Sequence, residues 1–363
     1  MSRAACAVVD LSALRHNLRQ ARRAAPRRQI IAIVKADGYG HGIVPVARTL
    51  VEADGLGVAC LEEALSLRAA GIDRSIVLLE GFFHADELPA IQLNQLQVVI
   101  HHESQLRTLE SAQPSSVAVP AWIKLDTGMN RLGFAPDELP RVHRRLSACP
   151  AVSSVLGLMT HLANADDAGD DTTPRQLERM QAACADTSLP VSIANSAGIL
   201  AWPASHADVV RPGIMLYGVS PMLAESGAQR NLRPVMTLRS ELISVRQCRA
   251  GDAVGYGGDW VCPEDMPVGV VAIGYGDGYP RHAPAGTPVL VNGCRVPLIG
   301  RVSMDMICVD LRPLPDAAVG DPVTLWGEGL PAEEIANAAG TIAYELFCGV
   351  TARVRKEYAD GQG

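Results

Sequence analysis

The stretch QIIAIVKADGYGHG, residues 29–42, places an aliphatic run, Ile30 to Val34, directly before Lys35 and a turn-rich Ala-Asp-Gly-Tyr-Gly-His-Gly. A short apolar run bounded by turn residues reads as a buried strand. Lys35 therefore ends a strand that otherwise avoids water, and its placement needs a reason. The same pattern recurs down the chain. Strand-like LGVAC (56–60), SIVLLEG (75–81), QVVIHH (97–102), VPAWIKLD (119–126), SVLGLMTHL (154–162), PVSIANS (190–196) and ADVVRPGIM (207–215) alternate with helix-like segments. Among these helices are a leading one with Leu11, Leu14 and Leu18 on one face, LEEALSLRAAG closed by Gly71, and the short SAGILAW. Strands buried on both faces read as continuous apolar runs. Eight such units predict a (β/α)8 TIM-type barrel, an α/β fold. An open doubly wound sheet is the alternative, and the strand count favours closure.

After about residue 230 the texture changes. VMTLRSELISVRQC, PVGVVAIGYG, TPVLVNGCRVPLIGR, MDMICVDLR and DPVTLWG are strand-like and separated by Gly and Pro turns. Helical pattern returns only in PAEEIANAAG and IAYELFCG. The expected organisation is a barrel over residues 11–230, followed by a mainly β C-terminal domain, residues 231–363, to which the strand-like residues 1–10 add themselves. With 363 residues there is room for both.

Composition narrows the function. Hydrophobic residues are 48% and charged residues 20%, ordinary for a protein with a large core. A net charge of -7 gives no reason to expect nucleic acid or an acidic membrane, and the basic run from Arg19 to Arg28 reads as a solvated helix face. No signal peptide or membrane-length apolar run is visible. Nine scattered Cys without paired spacing predict reduced thiols, a cytoplasmic setting and no metal site.

In a barrel, chemistry collects at the C-terminal ends of the strands. Lys35 follows the first. Lys124 and Arg131 lie at and after the fifth, and His161 ends the sixth. Asn195 and Ser196 end the seventh, and Arg211, Gly213 and Ile214 the eighth. Each has an ordinary explanation alone; Ser196 reads equally as the N-cap of SAGILAW. Together they converge on one face. Small residues after strands seven and eight suit a phosphate. A lysine after strand one can form an imine with a phosphorylated aldehyde, the arrangement that pyridoxal phosphate needs.

At this point AIVKADGYGHG, KLDTGMNRLGF, THLANAD, IANSAGIL, RPGIMLYG, VGYGGDW, GYGDGYPR and GRVSMDMICVD resemble, in order and through nearly the whole chain, the motifs of the alanine racemase family. The resemblance implies a barrel and a β domain, pyridoxal 5'-phosphate, and a homodimer whose active sites lie between subunits. It implies that Lys35 holds the cofactor and moves the Cα proton on the D-alanine face. It implies that Tyr256, from the partner subunit, serves the L-alanine face. Tyr39 and Tyr344 match phosphate contacts beside Asn195, Ser196, Gly213 and Ile214. His161 matches the ring beside the pyridine, and Arg211 the donor to its nitrogen. Arg131, Met304 and Asp305 match the substrate-carboxylate region. Asp166 and Tyr275 match the substrate approach, Arg281 the hydrogen bonds behind the tyrosine, and Lys124 a lysine that is carbamylated in several relatives. Ser303 and Asn130 stand where many relatives have Cys and Gly. LLEGFF, residues 78–83, is similar to the catabolic branch. Competing readings on the same barrel are a decarboxylase of basic amino acids, a broader-specificity racemase, and a pyridoxal phosphate carrier. Tyr256, Arg211 and the β domain weigh against the first and last.

Overall fold

A computed structural model describes residues 3–112, 118–223 and 225–361. Eight parallel strands close into a barrel. After β1 (Cys6–Asp10) come β2 (Gln29–Ile33), β3 (Gly55–Val58), β4 (Ser75–Leu78), β5 (Gln97–Ile100), β6 (Val119–Lys124), β7 (Val152–Met159), β8 (Val191–Ser192) and β9 (Val209–Val210). Closure is made by β2, which pairs with β3 on one side (Ile31 opposite Gly55) and with β9 on the other (Ile30 opposite Val210). Of the strands between them, β3, β4 and β5 are almost wholly buried, because helices cover the outside and side chains fill the inside, while β7 is buried only over its last three residues.

The first helix, Leu11–Ala24, shows how the sequence positions the rest. Asp10 caps it by accepting from the Ser12 and Ala13 N–H groups at 2.8 and 3.0 Å. Leu14, Leu18 and Ala21 bury its apolar face. Asn17 is buried beside them, and its amide donates to Leu216 O at 3.0 Å and Arg233 O at 2.8 Å while accepting from Arg233 N–H. That clamp fixes the segment by which the chain leaves the barrel.

The second unit is antiparallel and mainly β. It contains β10 (Met236–Cys248), β11 (Ala253–Val254), β12 (Trp260–Val261), β13 (Met266–Val271), β14 (Pro288–Val291), β15 (Cys294–Ile299), β16 (Ile307–Asp310), β17 (Pro322–Trp326) and β18 (Arg355–Ala359). Pairing runs β13-β16-β15-β14-β17-β10, and β10 then bends at a bulge between Leu242 and Ser244 to meet β13 again. The opening strand β1 joins this sheet, antiparallel to β10 and parallel to β18. Two helices, Ala332–Ala338 and Ala343–Gly349, return from it to the mouth of the barrel.

One reading of the key stretch is corrected. Lys35 does not end the first barrel strand. The ladder stops at Ile33, Val34 turns the chain with ψ 14°, and Lys35 opens a tight turn. Ala36, Asp37, Gly38 and Tyr39 then take φ of 53°, 54°, 62° and 52°, a left-handed helical turn. Non-glycine residues avoid this region at about 1–2 kcal/mol each, so the surroundings must hold it. The Glu63 carboxylate accepts from Ala36 N–H at 2.6 Å, Asp37 accepts from Ile43 N–H at 2.8 Å, and Lys356 of β18 pairs with Asp37 at 2.5 Å. Gly40, at φ 76°, lies so close to the last helix that a Cβ would stand 2.0 Å from Phe347 O. Gly40→Ala is therefore expected to destabilise the apo protein by more than about 2 kcal/mol in urea unfolding; an unchanged midpoint would contradict this packing.

Candidate active site

The barrel mouth opens into a cavity of about 1210 Å³. Lys35, Tyr39, Lys124, Arg131, His161, Asp166, Asn195, Ser196, Arg211, Gly213, Ile214 and Tyr344 all line it. The convergence expected from strand order is thus present, and one chain supplies twelve of the candidate residues.

Arg211 organises the floor. It follows β9 and is buried. Its guanidinium donates to Ser192 Oγ at 2.5 Å, Thr160 O at 2.6 Å and Ile193 O at 3.1 Å, and lies 3.3 Å from His161 Nδ1. Among the described residues no carboxylate pairs with it. Burial lowers its pKa to about 10, which leaves it charged at neutral pH. That charge acts on its neighbours. Burial first, then Arg211, Lys124, Arg131 and Lys35, hold the His161 imidazole well below its ordinary value, so it is neutral. Burial first, then Arg211 and Arg131, push the Lys124 ammonium down to about 7 against the pull of Asp126.

A second cluster forms a cradle of donors. Asn195, not Ser196, caps the helix Ser196–Ala201, its side chain accepting from Gly198 N–H at 2.9 Å. This corrects the capping role considered for Ser196. The Ser196 hydroxyl instead accepts from Gly213 N–H at 2.8 Å and Met215 N–H at 3.3 Å. Gly213 is there for space: a Cβ would sit 2.6 Å from Tyr39 Oη. Burial raises the Tyr39 phenol far above its ordinary value and pushes Tyr344 up to about 12, so both keep their protons as hydrogen-bond donors. Their rings lie 5.9 Å apart, and Tyr39 stacks on Tyr217 at 4.7 Å. Tyr217 Oη donates to Ile33 O at 3.0 Å, which ties the stack to the end of β2. Hydroxyls and backbone N–H groups around a gap kept open by a missing Cβ suit an oxyanion such as a phosphate.

The remaining candidates lie elsewhere. Tyr256, Tyr275, Arg281, Met304 and Asp305 do not line this cavity. They belong to the β unit, where Tyr256 is 69% exposed, Met304 53% and Tyr275 40%. The loops of Tyr275 and Met304 are laced together by Tyr275 N–H to Ser303 O at 3.1 Å and Gly276 N–H to Met304 O at 2.8 Å. Gly257, next to Tyr256, abuts the Arg301 guanidinium. Arg281 lines a separate cavity of about 200 Å³ with Asp259, Trp260 and Arg301. Asp305 pairs with Arg353 at 2.5 Å.

Sequence reasoning missed several contributors. Ser192 and Thr160 hold Arg211, and only their positions at the ends of β8 and β7 could have signalled it. Tyr217 stood in the motif RPGIMLYG without a role. The rim residues Glu333, Glu334 and Asn337 come from the returning helix, more than a hundred residues after the barrel; no local pattern announces such a contact.

Comparison with known proteins follows this geometry. Residues 9–221 match the family model "Alanine racemase, N-terminal domain", and residues 235–358 match "Alanine racemase, C-terminal domain". The chain is 55% identical to an alanine racemase of Halorhodospira halophila over the whole of both chains. It is 52% identical to "Alanine racemase, biosynthetic" of Escherichia coli O6:H1, over 98% of this chain and 99% of that one. The crystal structure of biosynthetic alanine racemase from Pseudomonas aeruginosa superimposes with a TM-score of 0.95 at 48% identity, covering 98% of this chain and 99% of that one.

The Lys124 environment has a measurable consequence. Between its native value of about 7 and the ordinary 10.5, the unfolded chain holds a proton that the native chain lacks. Stability therefore rises with pH through that window and is flat below it. In carbon-dioxide-free buffer, apo Lys124→Met should be more stable than the wild type at pH 7, with the gap closing towards pH 10. A gap independent of pH would contradict the assignment.

Proposed function

This chain belongs to the alanine racemase family, and on that premise we propose how its residues interconvert L-alanine and D-alanine. The enzyme is an isomerase that uses pyridoxal 5'-phosphate. The residues present fit that group. The cradle of Ser196, Gly213, Ile214, Tyr39 and Tyr344 matches a phosphate in size and donors, with Asn195 holding its flank. Arg211 and His161 match the two sides of a polar ring. Once bound, the cofactor supplies an aldehyde that holds the alanine nitrogen and a ring that accepts electron density from Cα.

Lys35 follows β2 and is the attachment point. With alanine held on the cofactor, the Lys35 amine would be free to remove or return the Cα proton on the D-alanine face. Arg211 would hold the ring nitrogen as a donor that stays protonated, so it would give up no proton there. That limits how far charge spreads into the ring and favours return of the proton to Cα. Neutral His161 packs beside the ring without adding charge. Arg131 forms the carboxylate region with the Met304 N–H and the neighbouring Asp305 of a second copy, and Lys124 would hold Arg131 once carbamylated, because the carbamate supplies the acceptor that the amine lacks. Asp166, together with Tyr275 of the second copy, would line the approach.

A racemase must reach both faces of a flat carbon, and Lys35 reaches one. Tyr256 is the base for the L-alanine face, backed by Arg281, and it acts on the site of a second copy. What supports this homodimer is the exposure of large side chains on the β unit: Tyr256, Tyr275, Met304, Met306 and Val261 all stand open, and the loops of Tyr275 and Met304 are joined, as at a surface that a partner covers. We take residues 11–230 as the cofactor-binding unit, and residues 1–10 with 231–363 as the unit that presents Tyr256.

Two relatives named biosynthetic, at 52% and 48% identity, support supply of D-alanine for peptidoglycan. The catabolic reading rests on the six residues of LLEGFF alone. No helix among the described residues is long and apolar enough to cross a membrane. Nine free cysteines favour the cytoplasm.

The observation that carries the proposal is Arg211, a buried cation with no carboxylate partner among the described residues, in one cavity with the Ser196–Gly213 donors and Lys35. The test is alanine in deuterium oxide, followed by circular dichroism and by exchange at Cα. Wild type should invert and exchange either enantiomer. Tyr256→Phe should lose inversion yet still exchange D-alanine, and Lys35→Ala should do neither. Wild-type protein that neither inverts nor exchanges alanine would refute it.

A further inference from the structure

His41 is a buried titratable group at the barrel mouth to which none of the preceding roles applies. It is fully enclosed, and its Nδ1 stands 2.7 Å from Tyr39 O and 3.1 Å from Gly38 O. Both partners are acceptors, so Nδ1 carries the proton. Nε2 is then a buried acceptor without a donor among the described residues. Burial pushes the imidazole down to about 4, assisted by Lys356 and opposed by the two carbonyls and Asp37, and the ring is neutral near pH 7. A buried unpaired acceptor is costly, and an apolar side chain of similar size would avoid that cost. The imidazole brings one thing such a side chain lacks, a donor aimed at the left-handed turn.

That turn carries Tyr39. Its carbonyl is the nearer of the two that His41 holds. The rings are coupled as well: Tyr217 lies between them, 4.7 Å from Tyr39 on one side and 4.7 Å from His41 on the other, and Phe347 closes the column edge-on at 5.0 Å. We propose that His41 is a positioning residue for the cofactor phosphate, fixing the Tyr39 phenol in the cradle by holding the carbonyls of the left-handed turn. The inference rests on the reading of Tyr39 as a phosphate contact.

The experiment measures binding of pyridoxal 5'-phosphate and of pyridoxal, which lacks the phosphate, to apoprotein by equilibrium dialysis. His41→Leu should weaken pyridoxal 5'-phosphate about fivefold or more, the size of one lost hydrogen bond, and leave pyridoxal unchanged. His41→Asn, whose Nδ2 falls where the imidazole Nδ1 stands, should restore wild-type affinity. His41→Leu combined with Tyr39→Phe should bind no more weakly than Tyr39→Phe alone. If His41→Leu does not fold, His41→Asn and His41→Gln carry the comparison, because the Gln amide falls at the Nε2 position and should fail to restore. Equal weakening of both ligands, additive losses, or Asn and Gln behaving alike would overturn the proposal. Tyr39→Phe with unchanged affinity would overturn the phosphate reading and this inference together. Tyr39→Phe weakened with His41→Leu unaffected would overturn only the role of His41.

Discussion

A guanidinium buried in a barrel without a carboxylate is the constraint on which the site depends. Arg211 is held by one hydroxyl and two carbonyls, and these come from the ends of β7 and β8. Parallel pairing of β7, β8 and β9 is what brings them within reach. Hydrogen bonds to neutral groups satisfy the donors but leave the charge. Burial first, and then this charge, keep His161 neutral and push Lys124 to about 7; Lys35 and Arg131 add cations to the same cavity, whose lining also carries Asp166, Glu333 and Glu334. Cations on the floor suit the phosphate of the cofactor and the carboxylate end of alanine.

The second constraint is conformational. A left-handed turn that includes Ala36, Asp37 and Tyr39 is unfavourable by itself. It persists because elements far apart in sequence hold it: Glu63 from the barrel, Lys356 from β18, and the close contact of Gly40 with the helix Ala343–Gly349. The β unit therefore has two separate roles. One face holds its own chain's lysine turn in place. Another presents Tyr256, away from its own cavity, for a second copy in the proposed dimer. That division explains why a barrel that could bind a cofactor alone is followed by so much β structure.

Much of this was legible in the sequence, for physical reasons. Continuous apolar runs alternating with amphipathic segments state that strands are buried on both faces, so all eight barrel strands could be placed before the fold was seen. Residues after those strands share a face by topology, which is why Lys35, Lys124, His161, Ser196 and Arg211 could be grouped. Backbone detail was not legible. Nothing in KADGYG says that the turn is left-handed, and Ser196 read as a cap because Ser is a good cap in general, while Asn195 does that work here. Long-range packing was not legible either: the helix Ala332–Ala338 at the cavity rim and the Tyr39–Tyr217–His41 contacts depend on no local pattern, and the separation of Tyr256 from its own cavity was expected only through the family resemblance.

The central claim is that one copy supplies Lys35 and the other Tyr256. Co-expression of Lys35→Ala and Tyr256→Phe chains, with different affinity tags to isolate the mixed species, tests it most directly. Each variant alone should fail to racemise alanine. The mixed dimer contains one site with both bases intact and should recover racemisation. A mixed dimer as inactive as its parents, with cofactor bound, would contradict a site shared between subunits.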